Sequence, residues 1–372
     1  MILRWIMVVF SFFSGVGMLD LGFQEAGFEI VFVNEFNSDF LKSYKFARRN
    51  RKYSEPRFGY HEGDINDFLD GSKAVIFQRY IESARRNNEK IGFIGGPPCP
   101  DFSVAGKNKG RDGDNGKLAK SYVDMICTYQ PDFFLFENVK GLIKTERHRE
   151  YYDELKQQLK QCGYGISDHL LNALCFGVPQ DRERILLLGV KKDSDVAKKV
   201  IMVNDTFAFR WYGNSKIDVN EIKEKRWPTQ QKFIPNTRRD FRYQVPKKLT
   251  VEYWFQRNKV YEHANSKDVF KVKAGKKKIR KIREGDVSRK SFKRLHRWRF
   301  SPTAAYGNNE VHLHPYKTRR LSVAEAMAIQ SLPKWFELPT DVSLTAKFKT
   351  IGNGVPYLMA YKIAKNIKKY LL

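Results

Sequence analysis

Gly95-Gly96-Pro97-Pro98-Cys99-Pro100-Asp101-Phe102-Ser103 presents one thiol on a stiff loop of small residues, directly after the apolar run Ile91 to Ile94. Glycines let a backbone approach a ligand, and the prolines fix φ and limit how far the sulfur wanders. A thiol held this way can attack an electrophilic carbon. Alone, a cysteine at a strand end reads better as a small buried hydrophobe. Its company favours chemistry: Glu137-Asn138-Val139 follows a second apolar run, and Gln180-Asp181-Arg182-Glu183-Arg184 precedes a third.

A second constellation lies at the amino end. Phe13-Ser14-Gly15-Val16-Gly17-Met18-Leu19-Asp20-Leu21-Gly22 follows the first apolar run and opens a helical pattern, with a spacing that departs from the dinucleotide GxGxxG. Glu35 closes the second run, where a carboxylate can accept hydrogen bonds from two ribose hydroxyls, and Asp64 can accept from an adenine amino group. An adenosine-type cofactor fits this set. Nothing resembles a triphosphate P-loop.

The elements that must position these groups alternate. Strand-like runs recur at Val8 to Phe13, Glu29 to Asn34, Ile91 to Ile94, Asp132 to Phe136, His169 to Cys175 and Arg184 to Val190. Helical patterns fall at Ser38 to Arg49 behind an Asn37/Ser38 cap, at Ser121 to Gln130, at Tyr151 to Gln161, at Ser322 to Gln330 with capping-box spacing, and at Val355 to Tyr370. This alternation predicts an α/β fold: a mostly parallel sheet covered by helices, with ligands at the carboxyl ends of the strands. Residues 191 to 300 break the rhythm and read as a separate recognition region.

With 372 residues, 42% of them hydrophobic, the chain is large enough for one large domain plus a smaller one. Its net charge of +27 calls for a polyanionic partner, with nucleic acid favoured over a merely solubilising role. The cations concentrate between Lys271 and Arg299, interleaved with Phe292 and Trp298 and followed by Phe300, aromatics suited to wedging or stacking beside phosphate contacts. Cys99, Cys127, Cys162 and Cys175 lack zinc-ligand spacing, so no metal is expected, and they read as four free thiols in a reducing compartment, hence a cytoplasmic protein. Met1 to Phe10 lacks a small-residue cleavage site and reads as a strand rather than a signal peptide, and no run is suited to spanning a bilayer.

Taken in order, Phe13 to Gly17, Glu35, Asp64, Pro97-Pro98-Cys99, Glu137-Asn138-Val139, Gln180 to Arg184, Arg320-Leu321-Ser322-Val323 with Glu325 and Gln330, and Gly352-Asn353-Gly354-Val355-Pro356 resemble the motif series of the C5-cytosine DNA methyltransferases of the bacterial modification type. The resemblance brackets nearly the whole chain. It implies a Rossmann-like S-adenosylmethionine-dependent methyltransferase sheet with helices on both faces, over residues 1–190 and 301–372, and a smaller target-recognition domain over residues 191–300. Double-stranded DNA would be the partner and a monomer the working form, with a companion restriction endonuclease acting on the same site.

By the same resemblance, Cys99 adds to C6 of cytosine, Glu137 donates to N3, Arg184 orients Glu137 and contacts O2, and Arg182 holds backbone or loop. Cofactor contacts carry over to Phe13, Gly15, Gly17, Glu35, Phe36, Asp64, Pro98, Leu118, Asn353 and Val355, for S-adenosyl-L-methionine and its product S-adenosyl-L-homocysteine. Asp101 to Gly116 is expected to close over a flipped base. Two positions depart from the family pattern. Met18 stands where a glycine is usual, and Pro100 replaces the commoner glutamine. Methylation of tRNA and a catalytically silent DNA-binding relative are the competing readings; an amino-group methyltransferase is disfavoured by Pro-Pro-Cys.

Overall fold

The computed structural model describes residues 6–98, 114–213, 218–272, 276–289, 291–304, 306 and 311–372. The first part of the chain alternates, with β3 and α3 in addition to the elements that its hydrophobic pattern predicts: β1 (Met7–Phe12), α1 (Met18–Glu25), β2 (Glu29–Glu35), α2 (Ser38–Asn50), β3 (Tyr60–Glu62), α3 (Gly71–Arg86), β4 (Lys90–Gly95), α4 (Asp114–Tyr129), β5 (Phe133–Val139), α5 (Glu146–Gln161) and β6 (Tyr164–Asn172). There follow β7 (Gln180–Asp181), β8 (Glu183–Lys191), β9 (Met202–Val203), β10 (Thr206–Phe207), α6 (Val219–Glu224), α7 (Val251–Arg257), α8 (Lys276–Arg280), β11 (Ser301–Pro302), α9 (Val323–Ile329), α10 (Leu344–Asn353) and α11 (Tyr357–Leu371).

Nine strands form one sheet in the order β3-β2-β1-β4-β5-β8-β6-β10-β9. The pairings from β3 through β5 are parallel, whereas β8 runs antiparallel to both β5 and β6. Two-residue periodicity splits its side chains between two cores. Met7, Val9, Phe133, Leu135, Leu186 and Leu188 pack on one face with α1, α2 and α11, and Val8, Phe10, Phe134, Phe136, Ile185 and Leu187 on the other with α3, α4 and α5. On the first face α1 meets α11 so closely that a Cβ on Gly22 would lie 2.6 Å from the Ala360 backbone.

Local signals placed most elements well. Asn37 caps α2 by accepting from Phe40 N, and Ser322 and Glu325 form a complete capping box on α9. The run His169 to Cys175 is displaced: the strand spans Tyr164–Asn172, and Ala173–Phe176 is a short 3-10 turn capped by Asn172. The sheet also runs past residue 190, because Thr206 pairs with Ile166. Trp211, Ile222, Trp227 and Leu249 join the same core as the sheet, whereas Trp254 and Phe255 pack with α9 and α10, and Ile279 and Ile282 form a small cluster with Leu313.

The expectation of four free thiols is corrected. Cys127, near the end of α4, and Cys162, just past α5, form a disulfide with Cα atoms 5.5 Å apart, while Cys175 is free and buried. Helix packing brings the two together, which their separation of 35 residues does not announce. The thiols therefore supply no argument for a reducing compartment. Among the described residues, no helix is long and apolar enough to cross a membrane, and no three His, Cys, Asp or Glu side chains cluster to hold a metal.

Candidate active site

The predicted residues among those described lie mostly at the carboxyl ends of neighbouring strands, β1 to β5. The loop after β1 is strained: Phe13, Gly15 and Gly17 all have positive φ (52°, 57° and 75°), and only the glycines take this at no steric cost. Its shape is held by Glu35 at the end of β2. One carboxylate oxygen accepts from Gly15 N at 2.7 Å and the other from Asn37 N at 2.8 Å, and each oxygen retains a lone pair. Burial raises the Glu35 carboxyl above its usual range, and these backbone donors oppose the shift.

Phe36, next along, is 72% exposed, an aromatic face left in solvent beside Glu35 rather than packed in the core. Asp64 follows β3 on the adjacent edge and accepts from Asn66 N at 2.9 Å. The loop carrying it is fixed by Asn34, whose side-chain amide donates to His61 O and Gly63 O. Leu118 on α4 and Phe13 pack against the same core, whereas Val355 joins the core on the other face. Pro98 is exposed. Asn353 is exposed at the end of α10. Acceptors for a ribose, an exposed aromatic for a purine and a glycine loop fit the adenosyl group that the sequence implied.

Met18, the departure in the glycine loop, finds its compensation far along the chain. Its side chain is buried, and a Cβ on Gly354 would fall 2.5 Å from its sulfur. Gly354 thus makes the room that Met18 takes.

On the second side of the site, Glu137 lies near the end of β5 and Arg184 at the start of β8, where antiparallel pairing brings the two together. Arg184 Nε is 2.9 Å from Glu137 Oε1, and both side chains are nearly enclosed. Burial raises the Glu137 carboxyl, with Arg184 and Arg182 pulling the other way. A carboxyl so placed is disposed to carry a proton. Gly96 lies against it: a Cβ there would sit 2.6 Å from Glu137 Oε2. The residue that follows β4 on the way to the thiol loop therefore abuts the Glu137 carboxylate. Cys99 itself, Pro100 and Asp101 to Gly113 of the expected closing loop lie outside the described residues.

Arg182 is not a surface residue. It is fully buried, and its guanidinium donates to the carbonyls of Ala304, Gly352, Asn353 and Gly354. These bonds satisfy carbonyls at the end of α10 that the helix cannot. They tie the arm bearing Asn353 to the strand bearing Arg184. Gln180, two residues back on the same face, bonds Gln330 and Ala304 N, and β7 pairs with β11, where the chain returns from the recognition region. Gln180, Arg182 and Arg184 thus form one row joining the end of the recognition region, the Asn353 arm and Glu137.

Sequence reasoning missed Asn34 and two residues of α2, Tyr44 and Arg48, none of which carried a local signal; the close backbone approach expected of the Gly95-Gly96 pair is seen at Gly96. In the recognition region, Trp298 is buried against Phe241, so the expectation that it stacks on a nucleic acid is corrected, while Phe300, packed on Trp227, and Phe292 are half-buried.

Residues 7–369 match the family described as C-5 cytosine-specific DNA methylase. The chain is 51% identical over 365 residues to the Type II methyltransferase M.NmeDI of Neisseria meningitidis serogroup C, covering 98% of this chain and 84% of that one. It is 29% identical to the Type II methyltransferase M.FnuDI of Fusobacterium nucleatum, covering 98% and 95%. Among solved structures, a prophage-encoded DNA modification methyltransferase from E. coli superposes with a TM-score of 0.63 at 23% identity over 98% of this chain and 99% of that one. The S. pombe Dnmt2 methyltransferase gives 0.59 at 13%, covering 98% of both. These two similarities show a shared fold.

Proposed function

The chain belongs to the C-5 cytosine-specific DNA methylase family, and from that premise we propose that it methylates C5 of a cytosine flipped out of duplex DNA, through a transient bond between Cys99 and C6. It is a C5-cytosine DNA methyltransferase of the type II restriction-modification kind. The observation that supports the chemistry best is the enclosed Glu137–Arg184 pair with Gly96 of the thiol loop laid against it.

C5 of cytosine is a poor nucleophile until a thiolate adds at C6 and turns the ring into an enamine. Cys99 supplies the thiolate. The charge that develops toward N3 is met by a proton from Glu137, whose enclosure favours the protonated form. Arg184 orients that carboxyl and faces O2. S-adenosyl-L-methionine, when bound, supplies the electrophilic methyl group that C5 takes up. Loss of the C5 proton and expulsion of Cys99 then restore the aromatic ring. Phe13, Gly15, Gly17, Glu35, Phe36, Asp64, Pro98, Leu118, Asn353 and Val355 would hold the cofactor, Phe36 offering a face to the adenine and Glu35 acceptors to the ribose. Arg182 acts on backbone, holding the 352–354 arm in place.

A base stacked in a duplex is out of reach of these groups, so the target must leave the helix. Residues 191–300 read the sequence around it, while 1–190 and 301–372 form the catalytic unit. The enzyme works as a monomer in the bacterial cytoplasm beside an endonuclease that cuts the unmodified site.

A duplex carrying 5-fluorocytosine at the target tests the covalent step, because fluorine cannot leave C5 as a proton does. A cofactor-dependent adduct stable to denaturing electrophoresis is expected for the wild type and none for Cys99→Ser. Methyl transfer without such an adduct would remove the Cys99 mechanism. Tritiated methyl transfer to duplex DNA and to tRNA, side by side, decides the substrate: label in tRNA alone would replace DNA as the substrate.

A further inference from the structure

Beneath the glycine loop lies a buried polar cluster that the proposed chemistry does not use. Asp20, in the first turn of α1, accepts from Ser11 Oγ of β1 and from Tyr44 Oη of α2, each at 2.9 Å. Arg48, one turn after Tyr44, lays its guanidinium over the Tyr44 ring at 4.5 Å and donates from Nε to Gln24 at 2.7 Å. Its Nη2 donates to Gly17 O at 2.6 Å. Gly17 is the left-handed residue that caps α1, and no side chain caps that helix. A Cβ on Gly17 would fall 2.2 Å from the Tyr44 ring and 2.8 Å from Arg48 Nη2. The loop is therefore seated on this pair.

Burying a guanidinium is costly, and an apolar side chain filling the same space between α1 and α2 avoids that cost. What the apolar side chain lacks is a donor for the Gly17 carbonyl. We infer that Arg48, backed by Tyr44 and Asp20, is a positioning residue of the cofactor site, fixing the Gly17 peptide in the orientation that cofactor binding requires. The inference rests on the reading that Phe13 to Gly17 receives S-adenosyl-L-methionine.

Calorimetric titration of the full chain with S-adenosyl-L-homocysteine tests it, alongside kcat at saturating cofactor. Arg48→Met is expected to weaken binding about tenfold, the worth of one charged hydrogen bond, with kcat within about twofold of wild type. Arg48→Lys keeps the charge but loses the planar fork that reaches Gln24 from Nε and Gly17 from Nη2, and should recover part of the loss. Ser11→Ala removes the other hydrogen bond to Asp20 without touching Gly17, and should lower Tm while leaving Kd unchanged. Equal weakening by Ser11→Ala and Arg48→Met would reduce the cluster to general stability and overturn the inference, as would an unchanged Kd in folded Arg48→Met. Should Arg48→Met fail to fold, a wild-type Kd in Arg48→Lys is the overturning result. Failure of the wild-type chain itself to bind S-adenosyl-L-homocysteine would sink the cofactor reading beneath the inference, a result distinct from either of these.

Discussion

In the sheet, backbone N–H and C=O groups pair with one another along nine strands; between residues 230 and 322, where backbone pairs are scattered through loops, two buried arginines take up further carbonyls. Arg294 is fully buried and donates to the carbonyls of Ile279, Ile282, His314 and Lys317, with its guanidinium 3.7 Å from the centre of the Phe233 ring. Arg297 holds Glu284 through two nitrogens, at 2.8 and 3.0 Å, and donates to Thr237 O. A region with little regular secondary structure still has to satisfy its buried carbonyls. Here the guanidinium fork does so, each cation collecting acceptors from several loops. The cationic run therefore has two populations: Arg294 and Arg297 hold the fold, while Lys277, Lys278, Arg280 and Lys281 are exposed to solvent, where a polyanion can meet them.

The sharpest way to test this division is to remove a charge on each side of it. In the catalytic region, Glu137→Gln should lower the single-turnover methylation rate by about 10² to 10³, as expected for losing a general acid. Its effect on stability should depend on pH. The Glu137 carboxyl is raised in the folded state, so its contribution is present below the unfolded pKa and is lost as pH rises through the folded value. Glutamine does not ionise. The melting temperature of the variant should therefore gain on the wild type as pH rises above the ordinary carboxylate range. A gap that widens against the variant with rising pH would show that Glu137 stabilises the fold as an anion.

Arg294→Met is the counterpart in the recognition region. Four carbonyls lose their donor, and breaking such a buried set costs about 3 to 5 kcal/mol of stability. Urea unfolding should register the loss. An Arg294→Met chain as stable as wild type but deficient in DNA binding would erase the distinction between structural and DNA-facing cations.

The same contrast explains what the sequence made legible. The β1 loop, Glu35 and the Ser322–Glu325 capping box were readable because their signals are local: a glycine at a turn, a carboxylate at a strand end, two residues at fixed spacing. Tyr44 and Arg48 were hidden. They occupy an ordinary helical face, and their partners, Asp20 and Gly17, lie on another element. Composition also cannot separate an exposed cation from one sealed against carbonyls, which is why Arg294 and Lys281 read alike. Trp298 was misread for the same reason: aromatic residues beside cations suit stacking on bases and suit a small core equally.

The mildest substitution bears on the exposed population alone. Lys277, Lys278 and Lys281 carry no structural hydrogen bond resembling those of Arg294, and they flank Ile279 and Ile282, which point inward to a small core with Leu313. Buried isoleucines alternating with exposed lysines fix which way this segment faces. Changing all three lysines to glutamine should leave stability within about 0.5 kcal/mol of wild type, as surface substitutions do. Each lysine that neutralises a phosphate releases about one counterion, so the slope of log affinity against log salt should become shallower by about 2 to 3. Affinities for the target duplex and for unrelated duplexes should fall together, because phosphate contacts position a protein without reading sequence. Filter binding at several salt concentrations measures both. A slope equal to that of wild type would mean that this face points away from DNA, and the polyanion site would then have to be sought among other cations of the recognition region.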